Sequence, residues 1–442
     1  MFINSVLNKI QELFLPVYEK SFILKNIDWL VGANIFLVIF ASTFASSDTI
    51  GYFALFAIFL TIIKLLTKTD EKFEMNLADK FLLIYFIFVI ISVAGSSLFY
   101  LSLKGFFKTF TYIGFYISVI HYLKDNKDKI KWIFLALALC ASGETIFAVL
   151  QNFASVEEIS GWQDMSHLNP EEVMTRVYGT LKPYNPNLFG GYMLSVIPAF
   201  LTIPFAFKEN FLSGKYTRLM FIVSNVFLTL FSIIALFLTG CRGAYIGFFF
   251  ELILLTAVVY KFLKPQLKKI FAGITALGVM VMSFIILSIA SLRMRILSIF
   301  AMRSDSSNSF RFNVYNSCVQ MFKDNWILGI GCGNQNFREI YGLYMRTGFD
   351  ALSAYNIYLE TAVESGVFAL VAFLGFLTTN IIKAFKFIFN SKNIDAVFVL
   401  ASLVSIVGML VHGVVYTVFF RPQIQFTFWI MIGIIRTLIA KG

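Results

Sequence analysis

Apolar positions in this chain do not alternate with polar ones. They run on in blocks of about 20 residues, the length a helix needs to cross the hydrocarbon core of a bilayer. The blocks fall at 28–46, 50–66, 79–100, 105–122, 130–152, 188–207, 218–239, 243–262, 270–290, 356–382, 396–418 and 425–440. They predict an all-α polytopic membrane protein with about 12 transmembrane helices. A spanning strand would be far shorter and would alternate, so a β-barrel is excluded. Before the first block, Phe2, Ile3, Val6, Leu7, Ile10, Leu13 and Phe14 recur at helical spacing, with Asn8, Lys9, Gln11 and Glu12 between them. This pattern predicts an amphipathic helix within 1–27, lying on the membrane surface. The remainder divides into helices 1–5 over 28–152, an outer loop at 153–187, helices 6–9 over 188–290, a large outer loop at 291–355, and helices 10–12 over 356–442.

Composition strengthens this reading. Of 442 residues, 58% are apolar and 14% charged, against roughly 25% charged in soluble domains. The net charge of +11 would suggest nucleic acid in a soluble protein. Here the lysines sit between spans, where they hold topology and meet anionic headgroups, so no nucleic-acid partner is expected. With a cytoplasmic N-terminus, one set of connections holds Lys64, Lys68, Lys72 and Lys80, then Lys124, Lys127, Lys129 and Lys131, Lys208, Lys215 and Arg218, Lys261, Lys264, Lys268 and Lys269, and Lys383, Lys386 and Lys392. The opposite connections at 47–49 and 419–424 hold only Arg421. The positive-inside bias therefore predicts both termini in the cytoplasm and the loops 153–187 and 291–355 outside.

Arginine and lysine are sorted on that topology. Nine of eleven arginines fall outside or at outer helix ends: Arg176, Arg242, Arg293, Arg295, Arg303, Arg311, Arg338, Arg346 and Arg421. Lysine does the reverse, with 21 of 25 inside. Topology needs positive charge but cannot tell the two apart, whereas phosphate and diphosphate favour the planar bidentate guanidinium. The competing reading pairs these arginines with local acids such as Asp305, Asp324, Glu339 and Asp350. Arg242 is the sharpest case. It lies in Thr239-Gly240-Cys241-Arg242-Gly243-Ala244 between two apolar spans, with no acid adjacent in sequence and glycines that let backbone and ligand approach.

Loops as long as 291–355 are uncommon unless they serve a function. An amphipathic stretch (Phe312, Tyr315, Cys318, Val319, Phe322, Trp326) precedes the turn Gly329-Ile330-Gly331-Cys332-Gly333 and predicts a short helix folded back on the membrane surface. Cys318 and Cys332 share this loop but are expected as two unpaired thiols. Cys140 and Cys241 have no close partner either.

Four patterns recur in order: Tyr-Gly-Thr-Leu-Lys-Pro-Tyr-Asn-Pro-Asn-Leu-Phe-Gly-Gly at 178–191, the Arg-Gly pair within 240–244, the run from Arg311 through Asp324-Asn325-Trp326-Ile327-Leu328-Gly329 into the glycine turn, and Tyr-Asn-Ile-Tyr-Leu-Glu-Thr-Ala-Val-Glu-Ser-Gly at 355–366. Together, over roughly 170–420, they resemble the O-antigen ligase and polymerase superfamily. The resemblance implies a helical bundle of the large membrane glycosyltransferase (GT-C-like) type with an extracytoplasmic cap. It implies metal-independent transfer of a glycan from an undecaprenyl-diphosphate carrier to an acceptor hydroxyl on a glycan or glycolipid, with no cofactor. It also implies that Arg242 and Arg311 grip the diphosphate, with Arg338, Arg176 and Asn356 as further substrate-binding candidates. The ligases carry a His shortly before the Asn that opens the span after the loop. Here Ser353-Ala354-Tyr355 stand before Asn356, and the only histidines are His121, His167 and His412. The Ser-Ala-Tyr variant, with His412-Gly413-Val414-Val415 and Phe420-Arg421-Pro422, looks closer to a cyanobacterial branch described as IctB-type bicarbonate transporters. Transport of a small anion is therefore the alternative function.

Tyr355, Glu360 and Glu364 are the candidates for the missing base. A phenol with a pKa near 10 is a poor base at neutral pH, so the carboxylates are preferred, although pairing of Glu360 and Glu364 with Arg311 is the more ordinary expectation. Glu144 and Glu251 are acids at membrane depth, either functional or engaged in helix–helix hydrogen bonds. His167, in the first outer loop, is expected to be an ordinary surface residue.

Overall fold

The computed structural model describes residues 2–69, 71–154, 176–207 and 215–440. Among them there are helices and no strand. The amphipathic pattern at the N-terminus forms α1 (Phe2–Lys20). The long helices follow as α2 (Ile27–Phe44), α3 (Ser47–Thr67), α4 (Leu77–Ala94), α5 (Phe99–Asp125), α6 (Ile130–Phe153), α7 (Pro186–Val196, continued by 3-10 and α turns to Ala206), α8 (Lys215–Leu238), α9 (Arg242–Phe262) and α10 (Pro265–Ser288). The large loop holds α11 (Ala290–Leu297), α12 (Ser306–Asp324) and α13 (Asn334–Tyr341). Helices α14 (Ile357–Asn390), α15 (Ile394–His412) and α16 (Pro422–Ile439) close the chain.

Each of the twelve apolar blocks falls on a helix, and eleven of the helices are long and apolar enough to cross a membrane. The block at 105–122 is the exception. It lies in α5, whose 27 residues suffice in length, but Lys108, His121 and three tyrosines dilute its apolar character. Outer loop 153–187 is described only at its ends, and His167 lies outside the described residues.

Burial is graded across the bundle. Helix α16 is almost wholly enclosed, packing on α5, α15 and α14. Helix α10 has no buried residue at all. An apolar helix left bare by its own protein needs lipid as its solvent. Glu144 does not bridge two helices: its carboxylate accepts from the Thr180 amide (2.8 Å) and hydroxyl (2.5 Å), tying α6 to the end of the first loop. Glu251 is buried with Oε1 unpartnered among the described residues, against Gly408 of α15, where a Cβ would collide with that oxygen.

At the bundle end that carries the lysine-rich connections, Lys64 is fully buried and reaches Asp28 (2.6 Å), Glu71 (2.9 Å) and Asp125 (3.2 Å). His121 Nδ1 lies 3.0 Å from Glu71. Gln11 of α1 donates to the carbonyls of Leu65 and Glu71, so this network also seats α1. The large loop and the starts of α9 and α14 lie at the other end.

Candidate functional site

The turn between α8 and α9 is the centre of the site. Gly240 takes φ +60°, a backbone state that side chains disfavour. The two carbonyls before Cys241 are held by arginines: Arg176 Nε donates to Thr239 O (2.8 Å) and Arg295 Nε to Gly240 O (2.7 Å). Arg176 also donates to Asn187 Oδ1 (2.6 Å), and burial together with the charge of Arg295 pulls its guanidinium below the usual range. Arg176 thus supports the turn. In the sequence, nothing distinguishes Arg295 from the other outer arginines; its contact with the turn depends on how the loop folds back.

Arg242 opens α9 and is 4% exposed. Its Nη1 meets Asp305 Oδ2 (2.9 Å), Ser298 Oγ (3.1 Å) and Ser298 O (3.2 Å), while Nη2 is buried without a partner among the described residues. The sequence shows no acid beside Arg242. The fold supplies one from the large loop, so the local-acid reading holds for half of this guanidinium. Asp305 also caps α12, its Oδ1 accepting from the Asn308 amide (2.8 Å). The helix it caps carries Arg311 less than two turns later.

Arg311 donates to Ser307 Oγ (2.8 Å) and lies over the Tyr416 ring, 4.4 Å from its centroid, with Nε buried and unpartnered among the described residues. Arg242 and Arg311 line one cavity of about 220 Å³ with Ile246, Asn308, Tyr315 and Tyr416, and no carboxylate lines it among the described residues. Gly243 lets α9 approach this closely, since a Cβ there would fall 2.8 Å from Tyr416 and 2.9 Å from His412. Ile246 carries the wall one turn down α9 into membrane depth. Tyr416 and Tyr315 are functional candidates that the sequence pattern does not single out. The only signal for Tyr416 is its place just after His412-Gly413-Val414-Val415.

The remaining candidates separate. Arg338 is exposed and paired with Asp350 (2.7 Å), away from the cavity. Asn356 caps α14, its side chain accepting from the Tyr358 and Leu359 amides (both 2.9 Å). Tyr355 sits at φ +52°, with its ring centroid 6.0 Å from the Arg311 guanidinium and its carbonyl accepting from Tyr315 OH (3.2 Å). Burial raises the Tyr355 phenol further, which weakens it as a neutral-pH base.

The expected pairing of Glu360 and Glu364 with Arg311 does not occur. Glu360 Oε2 accepts from the Ala354 amide (3.0 Å) and Glu364 Oε1 from the Gly333 amide (2.9 Å). The physical reason is a break in α14. Gly366 takes φ +80°, and the carbonyls of Val363 and Glu364 accept from Ile330 and Gly331 of the glycine turn (both 3.0 Å). The loop docks into the broken helix and draws both carboxylates toward its own amides. All four cysteines are free, as expected for Cys318 and Cys332.

Residues 227–374, from within α8 to within α14, match the family described as O-antigen ligase. No curated protein matches the chain. The matched stretch contains Arg242, Asp305, Arg311, Tyr355, Glu360 and Glu364, and leaves Arg176 and Tyr416 outside it.

Proposed function

We propose that this protein transfers a glycan from an undecaprenyl-diphosphate carrier to an acceptor hydroxyl, at the extracytoplasmic face of a bacterial inner membrane. The carrying observation is the 220 Å³ cavity in which Arg242 and Arg311 each keep a buried N–H without a partner among the described residues. Buried donors of this kind cost stability unless a ligand satisfies them. A diphosphate supplies charge and acceptor oxygens together, and a lipid tail leaves along the Ile246 wall. As the glycosidic bond breaks, negative charge grows on the departing diphosphate, and preorganised guanidiniums lower the barrier by meeting it there. In this reading the arginines carry the charge.

The acceptor oxygen forms its bond to the anomeric carbon, the diphosphate leaves with the bonding pair, and the acceptor proton passes to a carboxylate. Glu360 is the nearer of the two to the Tyr355 turn, through Ala354. The family match supports transfer in general, and the anion-transport alternative draws nothing from it. The test is glycan transfer from an undecaprenyl-diphosphate donor in proteoliposomes. Native protein is expected to transfer and Arg311→Ala to lose transfer. Robust bicarbonate uptake with no transfer from any lipid-diphosphate donor would reject the proposal.

A further inference from the structure

A second cavity lies beside Glu360 and Glu364. It is about 70 Å³ and is bounded by α4, α5, α14 and α16 with the glycine turn. Its polar lining includes Lys108, Thr361, Glu360, Glu364 and Gln425, set among Tyr85, Tyr112 and Trp429. Glu360 is 2% exposed. Each of the two carboxylates gives one oxygen to a loop amide and keeps the other without a partner among the described residues. Gln425 Oε1 is taken by Trp429 (2.6 Å), while its amide N–H groups have no partner among the described residues. These residues line the cavity, so their remaining acceptor and donor groups are available to a hydroxylated occupant.

The mouth lies at Lys108 and Asn334, both exposed. Lys104, one turn earlier on α5, is exposed as well. These are two of the four lysines at this end of the bundle, where arginine otherwise dominates. The 415–420 segment runs from one cavity to the other, with Tyr416 lining the first and Phe419 and Phe420 the second. The Ala354 amide serves Glu360 of the second cavity, and the neighbouring Tyr355 ring lies near Arg311 of the first.

We infer that this second cavity receives the acceptor: the hydroxyl-bearing edge of a saccharide, presented from the membrane surface past Lys108. The inference rests on the transferase reading above. About 70 Å³ has room for roughly five waters at about 10–15 Å³ each. That matches the edge of one sugar ring with its hydroxyls, not a whole oligosaccharide. Free carboxylate oxygens accept from hydroxyls, the Gln425 amide donates to them, and aromatic faces cover the ring's apolar surface. Donor and acceptor are thus held at the two ends of the 415–420 segment, one by arginines and one by carboxylates. The missing histidine then has a replacement, because the acceptor hydroxyl arrives already hydrogen-bonded to a base.

The test is photolabelling of the full chain in nanodiscs with a diazirine-bearing dodecyl glucoside, mapped by mass spectrometry, with and without excess undecaprenyl diphosphate. Labels are expected on 105–112, 360–373 or 419–429, undisplaced by the lipid diphosphate. Lys108→Glu and Glu364→Gln should each reduce labelling about tenfold. Labels on α9 or α12 that undecaprenyl diphosphate displaces, or labelling indifferent to both substitutions, would overturn the acceptor assignment while leaving the donor site standing. Failure of undecaprenyl diphosphate to bind at all would instead remove the donor reading, with the glucoside label still reporting on the second cavity.

Discussion

Arg242 shows how far a single residue is legible from sequence. Its isolation between two apolar spans and its flanking glycines mark it. Its partner Asp305 cannot be seen there, because that contact depends on how the large loop folds back. The loop also draws Glu360 and Glu364 onto its own amides, a contact invisible at i,i+4 spacing. Three outcomes follow at this scale. Arg242→Lys keeps the charge but loses the fork, and lipid-diphosphate affinity should fall by at least tenfold, while Arg218→Lys at the far end changes it less than twofold; titration with undecaprenyl diphosphate measures both. Asp305→Asn retains a side chain able to cap α12 but removes the negative charge from Arg242, so the same titration should give tighter binding. Tyr355→Phe should keep most transfer activity, because the phenol is raised by burial. Loss of transfer in that variant would assign the histidine's role to Tyr355.

Glycines connect the residue to the element. The run Gly329-Ile330-Gly331-Cys332-Gly333 and the Glu364-Ser365-Gly366 triplet stand in the sequence as separate motifs. They are two halves of one joint, with the loop amides of Ile330 and Gly331 bonded to carbonyls freed by the break in α14. Sequence marks a close approach at a glycine but cannot say whether ligand or backbone approaches. Here it is backbone, since a Cβ on Gly366 would collide with the Ile327 carbonyl. Gly366→Ala should therefore destabilise the protein by more than the ~1 kcal/mol expected from a left-handed backbone alone. Gly273→Ala on α10, where nothing lies within 4 Å, should be neutral or slightly stabilising because alanine favours the helix. Thermal unfolding in detergent compares the two, and equal midpoints would dissolve the joint.

At the scale of the molecule, the two bundle ends are built from different chemistry, arginines and a large loop at one, a buried lysine network at the other. The spans are legible because twenty-residue apolar runs leave few alternatives; the network is not, because its members stand on α2, α3, α5 and the loop after α3. Burial works to raise the Glu71 carboxyl, but the His121 hydrogen bond and the Lys64 charge overcome it and hold the group well below the usual range. A depressed carboxylate stabilises the fold fully above its unfolded pKa of about 4.3, and that contribution is lost as pH falls below it. Melting temperature should therefore drop between pH 5 and pH 3 more in native protein than in Glu71→Gln. Which end faces the cytoplasm is the premise of the proposed chemistry, because an undecaprenyl-diphosphate glycan is expected outside. On the positive-inside rule we propose that the Lys64 end is inside and the arginine cavity outside. All four native cysteines are buried, so an introduced thiol stands alone. Ser306→Cys, exposed at the start of α12, should react with an impermeant maleimide on intact cells. Lys392→Cys, exposed between α14 and α15, should react only after the membrane is opened. The reverse pattern would put the two arginines in the cytoplasm and take the donor site with them.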